Sequence, residues 1–167
     1  MRVTVWDPGM STGVVSAEIE YDKPLRILDA YQIHDGVSGV ILALGDDYDD
    51  GRPHKFVVEK FRVTPRVYKA AEVEALRIEG ALMLFTSLID FQYNGAMLLA
   101  GANNGGSTAA QKASKNKIAA DNVLRGMGLW HTGKMIMDKD AYDVNSAMKH
   151  LVAYARGIGH VPTIAAL

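Results

Sequence analysis

Two apolar runs in this chain stop on an acid. Val3-Thr4-Val5-Trp6 runs into Asp7 and then at once into Pro8-Gly9, and Phe56-Val57-Val58 runs into Glu59. Short β-branched and aromatic runs bounded by turn formers predict buried strands, so each acid stands where a strand leaves the core. Between them, residues 13–20 (GVVSAEIE) alternate in part and residues 25–34 (LRILDAYQIH) alternate loosely. Turn signals at Pro8-Gly9 and Asp22-Lys23-Pro24 separate these runs, which predicts a three-stranded meander. Residues 37–45 fit a short buried helix ended by Gly45, and 46–53 a loop. The strand at 55–60 follows, and then a helix over about 69–88. Its apolar face is expected to hold Ala70, Val73, Leu76, Ala81, Leu84, Phe85 and Leu88, with Glu72, Glu74 and Glu79 turned away. Residues 96–100 (AMLLA) predict a further buried strand, 101–108 (GANNGGST) an irregular loop, and 115–126 a helix ended by glycine. In the last helix, about 139–156, Val144, Ala147, Met148, Leu151, Val152 and Ala155 recur at the spacing of one face. The tail, 157–167, is weakly specified. The order β-β-β-α-β-α-β-α-α predicts an α/β layer sandwich, with later strands reached by helical crossovers.

A length of 167 residues, 49% of them hydrophobic, suits one domain spanning 1–167. No apolar run is long enough for a bilayer and no signal-peptide pattern opens the chain, so a cytoplasmic location is the expectation. The absence of cysteine excludes a disulfide, a thiolate zinc site and a cysteine nucleophile. The net charge of −1 hides a segregation. Residues 52–69 carry six basic side chains against Glu59 alone, and residues 112–134 carry five against Asp121. The acidic excess includes DDYDD at 46–50. Two basic segments flanking acidic strand ends suit a polyanion, although charge clusters are also ordinary solvated surface.

If strands one and four are parallel neighbours, Asp7 and Glu59 project from adjacent C-terminal ends, the edge where open α/β sheets place their sites. Asp140 and Asp143 begin the last helix on one face. Taken singly, each acid has a structural role: a turn former before Pro-Gly, an ion-pair partner, a helix cap. Taken together, four carboxylates converging on one point would repel one another unless cations neutralised them. Oxygen ligands select Mg²⁺ or Mn²⁺, and two such ions can stabilise the attacking and leaving oxygens of phosphodiester hydrolysis. His34, His54, His131, His150 and His160 form no close ligand pair, so a zinc hydrolase is a poor fit. His150 lies two helical turns after Asp143, where it could support the site, with packing against the sheet the expected role.

These blocks resemble the RuvC-type Holliday-junction resolvases of the RNase H-like superfamily. WDPGMSTGVV is similar to that family's first-strand signature, FVVEKF to its strand carrying a catalytic Glu, and DAYDVNSAMKHL to its final helix motif. The three occur in family order across nearly the whole chain. The resemblance implies an RNase H-like layer sandwich: a five-stranded mixed sheet, three antiparallel meander strands then parallel strands, with helices on both faces. It implies a Mg²⁺-dependent endodeoxyribonuclease of DNA recombination and repair, a homodimer cutting opposing strands of a four-way junction. Asp7, Glu59, Asp140 and Asp143 fall on the family's metal-binding acids, for two Mg²⁺ per site with Mn²⁺ as substitute. Asp7 and Asp143 would hold the ion that activates water, and Glu59 and Asp140 would complete the coordination. The family's basic residue near the scissile phosphate corresponds to Lys112, Lys115 or Lys117, and counting back from Leu129 favours Lys117. A phage-borne member, acting in the host cytoplasm, would fit the divergence.

The chain departs from the family after the Glu. An aromatic three positions on, which wedges into the junction, is here Arg62, while Phe61 stands one place earlier. Phe61, Arg62, Arg66, Lys69, Lys112, Lys115 and Lys117 are the expected DNA-binding residues. Gly9 and Gly13 are expected to let a phosphate approach the backbone. The helix at 69–88, with Ile78 and Met83 off its main stripe, is the expected dimer surface. The alternatives within nucleases are a broader branched-DNA or flap cutter and an RNase H-type enzyme on RNA–DNA hybrids. A sugar-kinase-like ATP-binding domain would need more chain than this, and a binding-only scaffold would gain by losing the acids.

Overall fold

A computed structural model describes residues 1–47, 54–61, 70–93, 108–131 and 142–167. Strands β1 (Arg2–Asp7), β2 (Thr12–Glu18) and β3 (Arg26–Ile33) precede helix α1 (Gly36–Asp47) and strand β4 (His54–Glu59). Helix α2 (Ala70–Phe85), strand β5 (Ile89–Gln92) and helices α3 (Ala109–Gly126), α4 (Tyr142–Gly157) and α5 (Val161–Ala166) follow. The sheet order is β3-β2-β1-β4-β5. β1 and β2, and β2 and β3, pair antiparallel, whereas β4 runs parallel to both β1 and β5. The expected five-stranded mixed sheet is therefore present, and the helices cover both faces.

Alternation along β1 divides the core. Val3 and Val5, with Val15, Ala17 and Val57, face α4 through Val144, Ala147, Met148, Leu151 and Val152. Trp6, with Val14, Phe56 and Val58, faces the other way, onto Val40 and Leu44 of α1 and Ile78 and Leu82 of α2. The six residues expected on the buried face of α4 are all buried.

Elsewhere the structure corrects the expectation. The fifth strand is Ile89–Gln92, four half-buried residues at the sheet's edge, with Lys55 of β4 paired to Asp90 at 2.7 Å. An edge strand carrying Asp and Gln lacks the apolar run that a central strand shows. The run at 96–100 lies outside the described residues. In α2 the buried residues are Glu74, Ala75, Ile78, Glu79, Ala81 and Leu82, while Leu84 is 88% exposed. The stripe was hidden because two of its members are acids with backbone partners: Glu74 accepts from Val37 N–H at 2.6 Å and Glu79 from Phe61 N–H at 2.7 Å. Helix α3 begins earlier than expected, at a capping box in which Thr108 accepts from Gln111 N–H and Gln111 accepts from Thr108 N–H. The tail forms α5, anchored by buried His160, whose ring contacts Thr163 Oγ1 and the carbonyls of Glu20 and Lys23. Among the described residues no helix is long and apolar enough to cross a membrane.

Candidate active site

The parallel register sets Trp6 beside Val58, so Asp7 and Glu59, the next residues, leave the C-terminal edge of β1 and β4 side by side. Both lie on the α4 face. Their side chains come within hydrogen-bonding reach of each other. Burial raises the Asp7 carboxyl well above the ordinary carboxylate range. The hydrogen bond and charge of Glu59 push it further, as does the charge of Asp143, against an opposing hydrogen bond from Ser146. Like charges so close disfavour each other's ionisation, a repulsion that a bound cation would relieve.

Helix α4 brings Asp143 and Ser146 over this edge, and Gly13 permits the approach. A Cβ at Gly13 would lie 1.9 Å from the carbonyl oxygen of Asp143 and 2.8 Å from the nitrogen of Val144. The helix start thus occupies the space that a phosphate was expected to use at this glycine. Asp143 accepts from Gln32 Nε2 at 3.1 Å and is also hydrogen-bonded by Ser11, which contacts Gln32 in turn. Burial raises the Asp143 carboxyl above the carboxylate range, and the Ser11 hydrogen bond and the charge of His34 pull it back.

Of the four expected acids, the structure brings Asp7 and Glu59 together and sets Asp143 within electrostatic reach of Asp7. Asp140 lies outside the described residues, as do Arg62, Arg66 and Lys69. No group of three or more His, Asp or Glu close enough to hold a metal ion occurs among the described residues. The donor chemistry nonetheless suits a hard cation: carboxylate oxygens only, crowded by like charge that a cation would offset. Lys112, Lys115 and Lys117 stand exposed on α3. None of them is among the groups that shift Asp7 or Asp143. Phe61 is half-buried, with its N–H tied to Glu79.

Ser11, Gln32, Gln92 and Ser146 also stand around these acids and were not expected there. Ser146 lies one turn after Asp143, and the two glutamines stand near the ends of β3 and β5, the spacing and edge position from which they could have been found. His150 does more than pack. Its Nε2 lies 3.3 Å from Glu59 Oε2, with the ring 1% exposed.

No family model matches the sequence, and no curated protein matches it either. Among solved structures the chain is similar to RuvC of Thermus thermophilus, with a TM-score of 0.60 and 18% identity over 96% of this chain and 98% of that one. It is similar also to T. thermophilus RuvC in complex with Holliday junction substrate, with a TM-score of 0.58 and 17% identity over 95% and 97%. The fold is accordingly RuvC-like, of the RNase H-like class.

Proposed function

We propose that this protein is a divalent-metal-dependent endonuclease that cuts branched DNA, foremost the four-way junction, as a homodimer. The observation that carries the reading is the Asp7–Glu59 pair, two carboxyl groups within hydrogen-bonding reach at the adjacent ends of two parallel strands. It stands at the C-terminal edge of a RuvC-like sheet, beneath an α4 start that carries Asp143. Fold alone does not assign chemistry; the half-buried acids and the basic α3 narrow it.

Asp7, Glu59 and Asp143 would hold Mg²⁺ or Mn²⁺, with Asp140 as the fourth acid. Bound there, the cation supplies Lewis-acid stabilisation of the phosphate and a water of lowered pKa. Ser11 and Gln32 hold the Asp143 carboxylate toward β2 and β3, and Ser146 supports ionised Asp7. Lys112, Lys115 and Lys117 offer a face for the phosphate backbone, Lys117 being the one proposed nearest the scissile phosphate. Phe61, beside Glu59, is the proposed wedge at the junction centre. For a second copy, Ile41 and Leu42 of α1 and Met83 and Leu84 of α2 expose apolar surface on two contacting helices.

The test is incubation with labelled four-way junction, flap, duplex and RNA–DNA hybrid, with and without Mg²⁺. Symmetric nicks in the junction are expected only with the metal. Cleavage of the hybrid alone would place the protein with the RNase H-type enzymes instead, and cleavage of flaps as readily as junctions with a broader branched-DNA nuclease.

A further inference from the structure

A line of hydrogen bonds reaches the acidic pair from the edge of the sheet. Gln92 ends β5, where its carbonyl accepts from Lys60 N–H at 2.6 Å. Turned one way, the Gln92 amide sets Oε1 3.1 Å from His150 Nδ1; turned the other way, both of its ends find partners of the right kind. With Oε1 accepting from the Tyr154 N–H at 3.3 Å, Nε2 donates to the His150 carbonyl at 3.2 Å and to His150 Nδ1 at 3.1 Å. His150 Nδ1 is then an acceptor, so the neutral ring carries its proton on Nε2, the atom facing Glu59 Oε2. Packing alone would be served by an apolar side chain. Instead both ring nitrogens have polar partners, one from β5 and one from β4.

We propose that Gln92 and His150 are positioning residues. Gln92 sets the tautomer of His150, and His150 holds Glu59 beside Asp7 in the orientation a divalent cation needs. The role rests on the metal-nuclease reading of the site. Its physical basis is general: a donor hydrogen-bonded behind a carboxylate ligand limits its freedom and favours the ionised form that a cation binds. The ring is suited to this because it is 1% exposed, whereas Glu59 is 28% exposed and would otherwise swing.

Imidazole nitrogen shifts of the metal-free protein test the first half. His150 is expected as the Nε2–H tautomer in the wild type, with Nδ1–H gaining population in Gln92→Leu. An Nδ1–H wild type overturns the proposal, whatever the protein cuts. Calorimetric titration with Mn²⁺ tests the second half. His150→Ala is expected to weaken binding by about tenfold, the scale of losses behind metal ligands, while His150→Gln, which keeps a donor near the Nε2 position, restores most of it. Gln92→Leu, which leaves His150 in place, is expected to weaken binding by a smaller factor, and it keeps the test open should the alanine variant not fold. Wild-type affinity in both His150→Ala and Gln92→Leu overturns the positioning role while leaving the nuclease reading intact. A wild type that binds no Mn²⁺ overturns the metal reading and this role with it, although the tautomer result would stand.

Discussion

Asp7 is held in the fold at a cost. Its carboxyl is raised first by burial and then by Glu59, so the folded protein binds this proton more tightly than the unfolded chain does. Without metal, the contribution of Asp7 to stability is therefore greatest below the ordinary carboxylate range and is lost as pH climbs through the raised value. Asp7→Asn removes that limb. It should raise the Tm of the metal-free protein at neutral pH by about 2–4 °C, equivalent to about 1 kcal/mol in a chain of this size. It should also cut junction cleavage by about a thousandfold, as expected when stabilisation of developing charge is lost. Thermal melts across pH and single-turnover cleavage check both. Gly13→Ala acts through space instead. Its Cβ would meet the Asp143 carbonyl, so α4 must shift, at an expected cost of about 3 kcal/mol by urea denaturation together with impaired cleavage. The positions of Asp7, Glu59 and Asp143 at element ends could be read from the sequence because each element is strongly patterned. Ser11, Gln32 and Gln92 could not, because a polar residue near a strand end has no periodicity to mark it. The space at Gly13 looked open only because the partner that fills it is 130 residues away in sequence.

Helices α3 and α4 are locked by an ion pair. Lys149 Nζ lies 2.5 Å from Asp121 Oδ1, with the lysine side chain 3% exposed. Removing the lysine strands a half-buried carboxylate, since Asp121 is 20% exposed. Lys149→Ala is expected to cost about 3 kcal/mol, and Lys149→Met with Asp121→Leu to recover most of it, read by urea denaturation. The same helix α3 presents Lys112, Lys115 and Lys117. Changing all three to Ala should flatten the salt dependence of junction binding by about 1 in slope for each lysine that contacts phosphate, measured by titration at several ionic strengths. Elements with one clean periodicity, β1, β4 and α4, were readable from sequence. Helix α2 was not, because Glu74 and Glu79 occupy buried positions as partners of Val37 and Phe61 N–H groups. Helix α3 starts at Ala109 and not near Lys115 because Thr108, at the end of the glycine- and asparagine-rich run, forms a capping box with Gln111.

For the whole molecule, the sheet order and the sides on which the helices pack follow from the chain order of strands and crossovers. Which helix faces remain exposed does not. Ile78 was set off the apolar stripe of α2 and is fully buried, whereas Leu84, expected on that stripe, is exposed. If Leu42, Met83 and Leu84 meet a second copy, Leu84→Glu should yield monomers by sedimentation at micromolar concentration. Metal binding should persist while the pairing of nicks is lost. The most direct measurement uses a supercoiled plasmid bearing an extruded cruciform, with Mg²⁺ and wild-type protein or Asp7→Asn. Metal-dependent endonucleolytic cutting of the junction by a dimer predicts linear plasmid from two coordinated incisions by the wild type, and none from Asp7→Asn or without metal. Uncut plasmid with the wild type, or equal cutting by Asp7→Asn, would contradict it.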